Sequence, residues 1–158
     1  MIVRLLGVMI LVGSGIGLAY RLNLRSSVAL ARAEGWLSFM RFVKLRVECF
    51  SLPVPAILKQ CDRELLHRCG YEGEERVERI SELLGRCDGL DIQTRSILKG
   101  FAEDFGKGYR EEQLHSCEYY FSMLNEHKNV LEKQLPIQRK IRSTLCISTV
   151  IAILILSL

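Results

Sequence analysis

Six cysteines, three histidines and a cluster of glutamates are the side chains in these 158 residues that could do chemistry. The thiols stand at 49, 61, 69, 87, 117 and 146, with no C-x-x-C pair. Nucleophilic or redox work needs a thiolate, and a thiolate needs a cationic or otherwise activating setting. Cys61, Cys69 and Cys117 are the candidates for a thiol enzyme or redox sensor, but no base stands beside them in a recognisable pattern. The chain is long enough to fold without staples, so the cysteines read as reduced thiols in a reducing compartment.

Two His/Cys pairs, His67 with Cys69 and His115 with Cys117, have the ligand types of a zinc site. Residues two apart on a helix diverge, however, and no zinc spacing is present, so no metal is expected. The stretch Gly13-Ser14-Gly15-Ile16-Gly17 imitates the start of a dinucleotide fingerprint, yet Leu18 stands where the third glycine belongs and no βαβ pattern follows. No cofactor and no small-molecule substrate is implied. Glu74, Glu75, Glu78 and Glu82, interleaved with Arg76, Arg79 and Arg86, read as a solvated helix face. G-x-S-x-G, P-loop and H-E-x-x-H motifs are all missing, and no catalytic residue is proposed.

The elements behind these residues are helical. With only three prolines and little period-two alternation, the expected fold class is all-α. Leu114, Cys117, Phe121, Leu124, Leu131 and Leu135 follow a helical stripe, with Lys128 its one charged member. Pro136 should kink or break that helix. Leu30, Ala33, Leu37, Met40, Val43 and Val47, widened by Trp36 and Phe39, form a second face, on a helix capped by Ser26 or Ser27 and ending near Phe50. Further helices are expected over Val54 to Arg68, Glu74 to Arg86 and Asp91 to Phe105, separated by Gly70, Gly73, Gly89 and Gly106. Short connections predict an antiparallel helical bundle.

Both ends are apolar. Ile2 to Tyr20 is nineteen residues with Arg4 as its one charge, close to what a ~30 Å hydrocarbon layer requires. Leu145 to Leu158 is fourteen uncharged residues, about 21 Å of helix, short for spanning. Arg21 and Arg25 follow the first segment, and Arg139, Lys140 and Arg142 precede the second. A formal charge of +4 concentrated in this way fits a membrane surface and not nucleic acid. The expected organisation is an N-terminal transmembrane helix at 1–20, a cytosolic helical bundle at 21–144 and a short C-terminal transmembrane helix at 145–158. The flanking cations place the middle inside and both termini across the membrane. Gly13 and Gly17, four apart, could let a neighbouring membrane helix approach closely.

Order and spacing along nearly the whole chain resemble one family. Leu45-Arg46-Val47-Glu48-Cys49-Phe50 precedes the turn Leu52-Pro53-Val54-Pro55-Ala56. Leu98-Lys99-Gly100-Phe101-Ala102-Glu103-Asp104-Phe105-Gly106 is followed by Arg110-Glu111-Glu112-Gln113, which opens the long last helix. With the apolar ends, these are similar to the stage III sporulation protein AB family. The resemblance implies a non-enzymatic component of a sporulation-specific transenvelope, secretion-like channel in the mother-cell membrane. Its helical domain would be similar to that of type II secretion and type IV pilus platform proteins. The implied partners are a cytosolic ATPase and the other channel subunits. A generic membrane-bound helical adaptor would share the architecture and differ in its partner.

Overall fold

The computed structural model describes residues 2–50 and 52–157, with side chains at 17, 21, 24–50, 52–137, 140, 141, 144 and 148. Six helices follow one another: α1 Ile2–Phe50, α2 Val54–Lys59, α3 Arg63–Cys69, α4 Ile80–Gly85, α5 Ile92–Asp104 and α6 Arg110–Ser157. The described residues hold no strand, and the chain is all-α. It divides into two compact units, Val28–Val130 and a second made of Met1–Ser27 with Leu131–Leu158.

The helical faces read from periodicity are largely buried, with Leu30, Leu114, Phe121, Leu131 and Leu135 half-buried. Ala33, Leu37, Met40, Val43 and Val47 are buried on α1 with Trp36 and Phe39, and Cys117 and Leu124 on α6. Ile80, Leu83 and Leu84 from α4 and Ile97, Leu98 and Phe101 from α5 complete one apolar cluster.

Within the unit Val28–Val130, α1 and α6 are joined by a ladder of polar contacts. Lys128 lies 3.8 Å from Glu34, the Arg41 guanidinium stacks 5.2 Å over the Phe121 ring, and Lys44 donates to Glu118 at 2.7 Å. As the partner on α1 advances from 34 to 41 to 44, the one on α6 retreats from 128 to 121 to 118 by equal steps. The two helices therefore run in opposite directions where they pack. At the end of this ladder Arg110 donates to the carbonyls of Val47 and Glu48, which lack partners in the last turn of α1.

The end of α3 is seated on α1. Arg32 donates to the His67 carbonyl, and the Trp36 indole N–H donates to the Cys69 carbonyl at 3.0 Å. Gly35 between them permits this approach: a methyl there would sit 2.6 Å from the Arg68 carbonyl carbon. Gly70 then turns the chain with φ of 101°, a left-handed conformation that ends α3.

Four expectations about helix limits need correction. The boundary expected at Ser26 or Ser27 is absent because Tyr20 to Phe50 contains no proline and only one glycine, Gly35, so α1 continues through it. The helix expected over Val54 to Arg68 is two helices, since Asp62 turns its carboxylate onto the Glu64 amide and starts α3 afresh. The helix expected from Glu74 begins only at Ile80. Glu74, Glu78 and Glu82 would repel at four-residue spacing, whereas the observed path lets Tyr71 bridge to Cys87 and donate its hydroxyl to the Glu75 carbonyl at 2.7 Å. Finally, Pro136 does not break the last helix but lies inside α6, where it removes one backbone donor.

Two glycine substitutions test this packing against each other. Gly35→Ala should destabilise the fold by about 1–3 kcal/mol, because the obstructing atoms are backbone and cannot swing aside. Gly85→Ala meets nothing within 4 Å and should be neutral or stabilising by about 0.5–1 kcal/mol. Urea unfolding of both variants measures the contrast.

Candidate functional surface

The thiols first. Cys69, Cys87 and Cys117 are buried, Cys61 is half-buried, and Cys49 is exposed at the end of α1. Burial pushes the Cys61 and Cys87 thiols up to about 11 and Cys117 to about 12, and raises Cys69 further, with Cys87 and Cys61 adding to the effect. A thiol held in its protonated form is a poor nucleophile. This is the chemistry of packing residues, and it gives Cys61, Cys69 and Cys117 no activated character. Each His/Cys pair splits as helix geometry requires, with His67 and His115 exposed and Cys69 and Cys117 buried. Gly13 to Gly17 lie within α1, a helix and not the strand-turn-helix of a dinucleotide site.

A polar cluster that the sequence reading did not single out ties α5 to α6. Asp91 caps α5 by accepting from the Thr94 amide at 2.9 Å, and its other oxygen meets His127 Nε2 at 2.7 Å. Burial alone would raise this carboxyl, but the hydrogen bonds from Thr94 and His127 together outweigh it and hold the group below its usual range. The Thr94 hydroxyl is buried and leans toward the same carboxylate without good hydrogen-bond geometry. At the other end of α5, the Tyr120 hydroxyl donates to Asp104 at 2.5 Å, and that bond pushes the phenol up to about 12. An aspartate at either end of α5 thus clamps it to α6. The cap was visible in the D-x-x-T spacing of Asp91 to Thr94; the partner 36 residues on was not.

The residues expected to flank a membrane belong to the other unit. Arg21 and Arg25 are exposed on α1 and Lys140 on α6, while the side chains of Arg139 and Arg142 lie outside the described residues. Gly17 is open, with nothing within 4 Å of a built methyl group; Gly13 lies outside the described residues in this respect. By chain position all seven of these residues fall in the unit formed from Met1–Ser27 and Leu131–Leu158. Among the described residues no helix is long and apolar enough to cross a membrane; the apolar side chains at 2–16 and 149–158 lie outside them.

What the unit Val28–Val130 presents is surface. Tyr119, Met123 and Val130 are exposed along α6, Leu45 and Phe50 on α1, and Ile92 and Tyr109 at helix starts. The clefts are open and lined by mixed residues; the one bordered by Leu58, Cys61, Arg63, Tyr71 and Val77 is about 310 Å³. Comparison with family models, with curated proteins and with solved structures finds no match to this chain.

The Asp91 contact carries a pH dependence of known sign. A carboxyl whose folded pKa is depressed contributes stability above its unfolded pKa and loses it as pH falls through the folded value. Asp91→Ala should cost about 1–2 kcal/mol near neutral pH. The gap to the parent chain should narrow as pH is taken well below the ordinary aspartate range, where its own carboxylate protonates. Urea unfolding at neutral and at the lower pH checks this, and an unchanged gap would show that the ionised carboxylate contributes nothing.

Proposed function

We propose that this chain is a non-enzymatic membrane platform: an antiparallel helical bundle held at a membrane face by apolar helices at both ends, with its surface and not a pocket carrying function. The observation that carries the reading is the grouping of both chain ends, each with its flanking cations, in one compact unit separate from the helical core. The opposed directions of α1 and α6 in the Val28–Val130 unit support it, since a helix entering that unit and a helix leaving it do so at the same end.

Arg21 and Arg25 on one side and Arg139, Lys140 and Arg142 on the other would lie in the headgroup layer of the cytosolic face, with both termini across the membrane. Gly17, open on α1, offers a close approach to another membrane helix. The resemblance to the stage III sporulation protein AB family gives the reading its specific form. The chain would be a mother-cell membrane subunit of a sporulation channel, coupling a cytosolic ATPase to the other subunits. No observation favours the thiol-enzyme alternative, because the candidate thiols are buried or held protonated.

Orientation is tested with the chain's own thiols. Among the described cysteines Cys49 is the exposed one, Cys61 is half-buried with its thiol held protonated, and Cys69, Cys87 and Cys117 are buried, so within the helical unit a membrane-impermeant maleimide should report mainly on Cys49. The reading predicts protection in intact cells and labelling at Cys49 after permeabilisation. Labelling in intact cells would put the helical unit outside and overturn it.

A further inference from the structure

Within the unit Val28–Val130, α6 carries a second apolar face besides the buried one of Cys117 and Leu124. At about 100° of turn per residue, Tyr119, Met123 and Val130 fall within about 40° of one another around the helix axis, with Glu126 beside them. All four are exposed, Tyr119 at 55%, Met123 at 38% and Val130 at 44%. From Tyr119 to Met123, Glu126 and Val130 the steps are four, three and four residues, the seam of a helix that packs along another helix. The contacts of α6 with α1 use Glu118, Phe121 and Lys128, and those with α5 use Tyr120 and His127. These contacts leave the seam to solvent.

Tyr119 is held ready for a partner. Its ring stands edge-on to Tyr120 at 5.1 Å, and Tyr120 in turn lies 6.0 Å from Phe101 in the core. The Tyr120 hydroxyl is bound to Asp104, and Gly100 lies so close that a methyl group there would come 2.9 Å from the Tyr120 ring. An exposed aromatic ring that is already ordered loses little freedom when it is covered, which is the property of an interface anchor. Met123, one turn further on, adapts its shape to what it meets.

The charges near the seam specify the partner's. On α6, Arg110 donates to carbonyls of α1, Glu118 and Lys128 lie against Lys44 and Glu34, and His127 meets Asp91. Glu112 accepts from the Tyr109 amide at its own helix start, and His115 acts on Glu118. On α5, Lys99 is 3.9 Å from Glu103, and Arg95 donates to the Leu84 and Cys87 carbonyls. Glu111 and Glu126 are left exposed with no cation paired to them among the described residues, and Glu126 stands in the seam itself. A second copy of this face would set acid against acid, and anionic lipid or nucleic acid would be repelled.

We infer that the Tyr119–Val130 face of α6 is a docking seam for an amphipathic helix of another protein, one whose apolar stripe is flanked by lysine or arginine and sets a cation against Glu126. The inference gives the proposed surface function a partner of stated chemistry. It draws on the helical unit alone, so it and the membrane anchoring can fail separately.

The test uses the full chain in a neutral detergent and two designed helical peptides that share one leucine stripe, flanked by lysine in one and by glutamate in the other. Each carries a fluorophore for anisotropy, and detergent without protein is the blank. Expected is preferential binding of the lysine peptide, weakened about tenfold or more by Tyr119→Ala. Glu126→Lys should shift the preference towards the glutamate peptide, whereas Glu64→Lys on α3, an equal change in net charge, should leave it as it was. Circular dichroism confirms the fold of each variant, and the exposed Glu126 carries the test should Tyr119→Ala fail to fold. Binding of neither peptide, equal binding of both, or a preference that Glu126→Lys and Glu64→Lys change alike would overturn the inference. So would sedimentation in which the parent chain self-associates and Tyr119→Ala does not, since that would give the seam to a second copy.

Discussion

The last turn of a helix leaves carbonyls without partners, and in this protein the supply of donors to those carbonyls organises the helical unit. Arg32 and Trp36 bring theirs from α1 to the end of α3, across a position where Gly35 has no side chain to hold the two backbones apart. Three consequences follow from that seat. The Gly70 turn is fixed against the Asp88 amide, Tyr71 can bridge to Cys87, and the segment before α4 is drawn away from helix. Arg110 repeats the device at the end of α1, joining the first long helix to the start of the last. Since Trp36 and Phe39 are wholly buried beside this seat, the polar contacts act in a setting where unpaired carbonyls would be expensive.

The α1–α6 pairing is stabilised differently. Its core is apolar, through Met40, Val43, Cys117 and Leu124, while its ion pairs lie along the exposed margin. Such surface pairs contribute little to stability. Their regular spacing is informative about direction and register, which is what a pair of long helices most needs to have specified. The clamps at both ends of α5 serve the same purpose, fixing that helix along α6 at Asp91 and Asp104.

How much of this was legible in the sequence depended on how local the cause was. Apolar periodicity identified the buried faces of α1, α4, α5 and α6 because a helix that buries one stripe must repeat it. The stop at Gly70 and the start of α5 near Asp91 were legible for the same reason, although the cap that Asp91 forms was not read. The failures were of another kind. The segment from Glu74 to Arg79 has helix-forming residues, and only its repulsive spacing and the distant partner Cys87 explain the open path. Asp62 could equally have been a residue within one helix, until its side chain is seen on the Glu64 amide. The donors from Arg32 and Trp36, and the histidine opposite Asp91, act over 33 residues or more and leave no pattern in a single sequence. On the functional side, the basic and apolar ends were legible as composition, whereas the exposed apolar residues of the helical unit emerged only from the packing.

A platform that works by surface needs little chemistry of its own, and the buried thiols and open clefts of this chain are consistent with such a part. Its central requirement is that both ends hold it in a membrane. Alkaline carbonate extraction of membranes containing the full chain tests this most directly, because high pH strips proteins bound by charge and leaves those held in the hydrocarbon. The proposed architecture predicts that the chain stays with the membrane pellet, and that removing residues 1–20 and 145–158 together releases it. Recovery of the intact chain in the alkaline supernatant would contradict the proposal.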